Sequence, residues 1–157
     1  LFKRFTPAGP DHAQVAACAG IADYIDDLHR HHFGSATGAD ARTRGAAVHD
    51  LMRAHESALL QPLLDRLAQR NDLRLVGGRA APDRAPTVAL DLGRPALPVA
   101  QALAGHGIMA GGGHFYARRP LEALGIDPGA GVLRLSFVHY TSAAEVDRLL
   151  DALDQVL

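Results

Sequence analysis

The sequence predicts an α+β fold in which two long helices precede a small mixed or antiparallel sheet of about four strands, with helices packed on one face. Two patterns carry this prediction. Up to residue 70, apolar residues recur at spacings of three and four, whereas from residue 73 onward short extended runs alternate with short helical ones. The resulting order of strand, strand, helix, strand, helix, strand, helix is typical of a sheet covered by helices. With 157 residues, of which 48% are hydrophobic, the chain can bury the core of an ordinary domain.

The first long helix is predicted over residues 13–28, with Asp11 as its N-cap. Its apolar positions form one stripe, so we expect that stripe, including Cys18, to be buried. The stripe consists of Val15, Cys18, Ala19, Ala22, Ile25 and Leu28. Residues 29–40 contain two glycines and predict a flexible connection, after which a second helix is expected over 42–70. We therefore divide the chain into a connecting segment with its helix, residues 1–40, and a small α+β domain, residues 41–157.

Within the α+β part, alternation and turn residues predict short elements. The last helix has the clearest start, because Ser142 and Glu145 stand at the spacing of a capping box. The expected strands are 73–76, 86–92, 108–110 and 132–138, and the expected helices are 98–105, 120–124 and 143–157.

Composition argues against several classes of protein. Sixteen Lys and Arg residues stand against seventeen Asp and Glu, so no strong positive field favours a nucleic-acid partner. No apolar run approaches the roughly 18 residues of a membrane span, so we expect no membrane partner. The single cysteine, Cys18, allows neither an internal disulfide nor a cysteine-based zinc site and favours a reducing cytoplasm.

Histidines cluster near the end of the first helix, but their pattern does not predict a metal site. His29, His31 and His32 suit the C-terminal end of a helix dipole, and no carboxylate cluster follows them. His49 and His55 are six residues apart on one helix and therefore do not share a face. We expect no bound metal.

A glycine triplet, Gly111 to Gly113, follows the strand expected at 108–110. Glycines allow positive φ or a close approach of the backbone to a ligand, although a structural turn explains them equally well. The run lacks the strand, helix and acidic residue of a dinucleotide-binding motif. His114 and Tyr116 follow at alternate positions and are candidates for side chains that face a cleft.

Arg134 is a charged residue inside an apolar strand, between Leu133 and Leu135. Alternation places these two leucines on one face and Arg134 on the other, so burial of the leucines would direct the guanidinium away from the core. It would then meet a neighbouring domain, a carboxylate ligand or solvent. From the pattern alone, solvent is the favoured reading.

Three runs together resemble the C-terminal end of cysteine desulfurase-like proteins, in the class V aminotransferase group of pyridoxal-phosphate enzymes. They are Gly107 to Ala117, Gly131 to Thr141 with Glu145 to Asp147, and the opening Arg4 to His12. The resemblance covers almost the whole chain and implies a fold-type I enzyme that acts on an amino acid as a homodimer. It also implies a large domain N-terminal to Leu1, which carries the cofactor's lysine and most cofactor contacts. The only lysine in this chain is Lys3, so we expect the chain alone to be inactive.

The resemblance also implies roles for individual residues. Arg134 matches the arginine that binds the substrate's α-carboxylate, while Gly113 and His114 match the active-site loop. Tyr116 stands where desulfurases have a cysteine that accepts sulfur, and Cys18 cannot replace that cysteine if it is buried. Desulfuration, elimination, epimerisation and transamination therefore all remain open.

Two glycines also depart from the family pattern. Gly9 stands where many relatives have a threonine that touches the cofactor phosphate, so it offers only a backbone N–H. Gly111 replaces an arginine, which implies a less cationic and roomier loop.

A stand-alone α+β module that binds a metabolite or a protein without catalysis is the alternative. The single lysine and the missing nucleophilic cysteine favour it.

Overall fold

The computed structural model describes residues 11–35 and 38–157. Five α-helices occur in these residues: α1 (His12–Phe33), α2 (Ala41–Ala68), α3 (Ala96–Gly105), α4 (Arg118–Ala123) and α5 (Ala143–Val156). The strands are β1 (Arg74–Val76), β2 (Thr87–Asp91), β3 (Gly111–Gly113) and β4 (Val132–Ser136), and a 3₁₀ turn covers Ala81–Asp83. The predicted α+β class and the order of elements are confirmed.

The four strands form one open antiparallel sheet in the order β1-β2-β4-β3. Of the two sheet types expected, the antiparallel one is therefore present. The chain divides into two compact units, one ending at Met52 and the other running from Arg53 to Leu157. No helix of the described residues is both long and apolar enough to cross a membrane.

In the unit from Arg53 to Leu157, one face of the sheet carries the main core. Leu133 and Leu135 of β4 and Leu90 of β2 are buried there against the C-terminal part of α2, α3 and α5. The apolar side chains of α2 recur at helical spacing on its buried side, which is why this helix lies along the core. They are Leu59, Leu60, Leu63, Leu64 and Leu67.

Strand β3 lies three residues later than predicted. The expected strand 108–110 is wrong, and the glycines themselves pair with β4, with Gly111 opposite Arg134 and Gly113 opposite Val132. Glycines carry no apolar side chain, so no alternation of apolar and polar residues indicates this strand. Gly112 is nevertheless required, because a Cβ there would lie 2.6 Å from the backbone of Ala96 and Leu97 at the start of α3.

Helix α1 is longer than predicted and extends through residues that we expected in a flexible connection. Asp11 caps it by accepting from the N–H groups of Ala13 and Gln14, and Gly34 ends it at a φ of 76°. His29 therefore lies inside the helix, where it is only 6% exposed and stacks on Phe33.

The expected buried stripe of α1 is wrong over its N-terminal half. Every residue from His12 to Tyr24 is exposed, including Cys18, and Val15 is 61% exposed. The Cys18 thiol donates only to the Gln14 carbonyl of its own helix, at 3.4 Å. The apolar spacing correctly indicates a helix, but no described residue buries the N-terminal half of the stripe, whereas Ile25 and Leu28 are half-buried.

Candidate active site

The face of the sheet opposite the main core carries the residues that the sequence singled out. Strand register places Val76, Ala89, Arg134 and Gly111 in one row across all four strands. Residues that are paired across an antiparallel sheet point to the same face, so this row defines the Arg134 face. The prediction that Arg134 lies opposite the buried leucines of β4 is confirmed.

Arg134 is exposed on this face and stacks on an aromatic ring. Its guanidinium carbon lies 4.2 Å from the centroid of the Phe115 ring. Within residues 53–157, all of which the structure describes, no carboxylate or carbonyl accepts a hydrogen bond from the Arg134 guanidinium. A guanidinium has five N–H donors in one plane, and here they remain available to an anion.

Phe115 belongs to a tight turn over residues 114–117. The Ala117 N–H donates to the His114 carbonyl at 2.7 Å, and both central residues, Phe115 and Tyr116, have positive φ values of 47° and 59°. These are features of a type I′ turn, which usually takes glycine or asparagine at its centre. Two aromatic residues in the left-handed region cost of order 1–3 kcal/mol each, so the turn stores backbone strain.

The side chains on either side of Phe115 differ in how they are held. The His114 Nδ1 accepts from the Tyr116 N–H at 3.1 Å, so a neutral imidazole carries its proton on Nε2. The Tyr116 side chain is fully exposed. Residues 53–157 thus fix the His114 ring and leave the Tyr116 phenol free.

The turn is anchored by a close contact between two glycines. A Cβ on Gly131, which has a φ of 66°, would lie 2.5 Å from the backbone of Gly113. Gly113 itself has a φ of 149° and immediately precedes the turn. A second apolar cluster made by Leu121, Ile126 and Val132 packs against the half-buried Phe115. Both glycines are therefore required to bring β3 against the start of β4.

The expectation that Gly111 leaves a roomier loop is wrong. A Cβ at this position would lie 2.8 Å from Cζ of Phe115 and 3.9 Å from a terminal nitrogen of Arg134. The Phe115 ring thus fills the space beside Gly111. No residue pattern indicates this contact, because Gly111 lies in strand β3 and Phe115 in the turn that follows it.

The remaining candidate residues do not belong to the unit from Arg53 to Leu157. Gly9 and Lys3 lie outside the described residues. Cys18 is exposed, so burial is not a reason to exclude its thiol from chemistry. Among the described residues, no group of three or more His, Cys, Asp or Glu side chains comes together as a metal site would require.

Comparison with known proteins places the chain in a family. The model of the aminotransferase class-V family matches residues 38–149. A probable cysteine desulfurase of Streptomyces coelicolor is 34% identical over 142 residues, which are 85% of this chain and 33% of that protein. A probable cysteine desulfurase of Pseudomonas putida is 36% identical over 66% of this chain and 24% of its own length. The chain therefore belongs to the aminotransferase class-V family.

Solved structures share the fold. The cysteine desulfurase of Thermococcus onnurineus superposes with a TM-score of 0.59 at 25% identity, over 73% of this chain and 29% of that one. The cysteine desulfurase CsdA of Escherichia coli superposes with a TM-score of 0.56 at 24% identity, over 78% of this chain and 32% of its own. The chain thus spans about a third or less of the relatives that it matches.

Proposed function

We propose that this chain is the C-terminal part of a pyridoxal-phosphate-dependent enzyme that acts on an amino acid. The lysine that bonds to the cofactor would lie upstream of Leu1, in a large domain that packs with this one, and the enzyme would work as a cytoplasmic homodimer. Residues 1–40 would connect the two domains, and residues 41–157 would form the small one. The family and the share of each relative that the chain spans support this assignment.

The observation that carries the proposal is the Arg134 guanidinium. It projects from the sheet face opposite the core, and residues 53–157 leave its donors without an acceptor. Such a fork matches the two oxygens of an α-carboxylate. We assign Arg134 as the group that binds this carboxylate and thereby holds the amino acid in one orientation. Because Arg134 is exposed in this unit, a strong pair requires that the rest of the enzyme exclude water from it.

The described residues do not by themselves fit the cofactor. Residues 11–157 contain no lysine. The strand register puts Arg74 on the Arg134 face as well, but its guanidinium is engaged by Asp91 and the Leu124 carbonyl. Pyridoxal phosphate, where it is bound, supplies the electron sink for the reaction. What this chain contributes is recognition of the substrate carboxylate and a loop with a fixed imidazole, His114, and a free phenol, Tyr116.

The loop also restricts the reaction. A phenol oxygen cannot carry a persulfide, so a sulfur atom would not be accepted at Tyr116. We therefore favour a reaction that needs no thiol at this position, namely elimination, epimerisation or transamination. Gly131 leaves room for the backbone of Gly113, and Gly113 leads into the loop with a φ of 149°. The Nε2–H of His114 is available as a hydrogen-bond donor.

The test is an Arg134→Ala substitution in the complete protein loaded with pyridoxal phosphate. We expect the dissociation constant for L-alanine, measured by calorimetry, to rise by about 100-fold, because a water-excluded charge pair worth several kcal/mol is lost. Arg79→Ala is the matched control, since Arg79 is an exposed arginine in the loop between β1 and β2. Equal affinity in the Arg134 variant and the wild type would reject the carboxylate assignment.

The place of the lysine is tested separately on residues 1–157. Mixing this chain with pyridoxal phosphate should give no absorbance band that depends on a lysine. A band that disappears in Lys3→Ala would show that the covalent lysine lies within the chain.

A further inference from the structure

Phe115 contacts the guanidinium of Arg134, but the proposed function assigns no role to it. Its ring centroid lies 4.2 Å from the guanidinium carbon of Arg134, and its side chain packs against the cluster of Leu121, Ile126 and Val132. The ring therefore contacts both an apolar cluster and a cation. A cation placed over an aromatic face at this distance is attracted by the ring quadrupole.

Stacking and carboxylate binding use different parts of a guanidinium. The aromatic ring contacts the flat face, whereas the N–H donors point outward in the plane. Phe115 can thus restrict the rotamers of Arg134 without occupying a single donor. An unrestrained arginine side chain would lose more conformational entropy when a carboxylate binds.

The surrounding backbone is arranged to keep the ring in place. Gly111 is the cross-strand partner of Arg134, and a Cβ on it would come within 2.9 Å of two atoms of the Phe115 ring. Phe115 itself holds a positive φ of 47°, a conformation that phenylalanine rarely adopts. The glycine at 111 and the strained turn both serve to seat this ring beneath the guanidinium.

We propose that Phe115 is a positioning residue that orients the Arg134 guanidinium for the substrate carboxylate, with Gly111 providing the space for its ring. This inference rests on the assignment of Arg134 as the carboxylate-binding group. Phe115 itself makes no bond to the substrate.

The contact is tested first, by NMR on the full chain with ¹⁵N-labelled arginine. The Arg134 side-chain Nε–H should show an upfield ring-current shift in the wild type and in Phe115→Tyr. Phe115→Leu, which keeps apolar volume and removes the ring, should lose the shift. Gly111→Ala should lose it as well, because the added Cβ displaces the ring while Phe115 is still present.

The consequence is tested by the affinity for L-alanine in the complete protein loaded with pyridoxal phosphate. We expect Phe115→Leu and Gly111→Ala to weaken binding by about threefold, the size of an exposed cation–π contact, and Phe115→Tyr to bind as the wild type does. If Arg134→Ala weakens binding but Phe115→Leu does not, the positioning role is overturned and the carboxylate assignment stands. If Arg134→Ala itself has no effect, both the carboxylate assignment and the positioning role are rejected.

Discussion

Tyr116 holds a backbone conformation that its own side chain does not favour. It has a φ of 59°, and its side chain is fully exposed, so nothing in residues 53–157 compensates through burial. Asparagine adopts the left-handed region far more readily. We expect Tyr116→Asn to raise the free energy of unfolding by about 1 kcal/mol, measured by urea denaturation.

Tyr140→Asn is the control for that substitution. Tyr140 is also largely exposed, but it has no positive φ, so the same chemical change should bring no comparable gain. A loss of stability in Tyr116→Asn would contradict the strain that we describe. A gain in stability together with weaker activity of the complete enzyme would mean that the strained turn is kept for function.

Single residues also show how far sequence patterns could predict this site. The alternation of residues in β4 is enough to place Arg134 and Leu133 on opposite faces of the sheet, because alternation is a local property of a strand. The stacking of Phe115 on Arg134 joins residues 19 positions apart and depends on a turn with positive φ at aromatic residues, which no residue preference announces. Cys18 was wrongly expected in the core because spacing predicts which face of a helix is apolar, not what covers it.

At the level of elements, the capping box of α5 was predicted and is present. The Ser142 hydroxyl accepts from the Glu145 N–H at 3.3 Å, and the Glu145 carboxylate accepts from the Ser142 N–H at 2.7 Å. Such a box can be read from sequence because both partners lie within one turn of helix. Strand β3 could not be read in the same way, because its glycines are specified by the distant contacts of Gly112 with α3.

The capping box leads to a prediction about pH. The backbone N–H of Ser142, and then its hydroxyl, hold the pKa of Glu145 below its ordinary value. A carboxylate whose pKa is lower in the folded state contributes stability that is complete above its unfolded pKa and is lost as the pH falls through the folded one. We expect wild type to be more stable than Glu145→Gln at neutral pH. The difference should shrink as the pH falls below about 4.

Urea denaturation at a series of pH values measures that difference. Ser142→Ala serves as the companion variant, since it removes the N-cap hydroxyl and should cost about 1 kcal/mol at neutral pH. A constant difference between wild type and Glu145→Gln from neutral to acidic pH would contradict the role given to the carboxylate.

At the scale of the whole molecule, the chain spans about a third or less of the length of its relatives. Residues 12–24 of α1 are all exposed, although they include Val15 and Ile21, which are 61% and 65% exposed. A solvent-exposed helical segment of about 13 residues is only marginally stable in water. We propose that the large domain of the complete enzyme covers this half of α1.

Hydrogen exchange tests whether the large domain covers the N-terminal half of α1. In the chain of residues 1–157 at low concentration, the amides of residues 16–24 should exchange almost as fast as in an unfolded peptide, whereas those of α5, which buries Val146, Leu149 and Leu153, should be protected. In the complete protein both sets should be protected, because the apolar side chains of α1 are then withdrawn from water. Strong protection of residues 16–24 in the monomeric chain would mean that the helix is stable without a covering domain. In that case its apolar residues would have to be explained without the large domain.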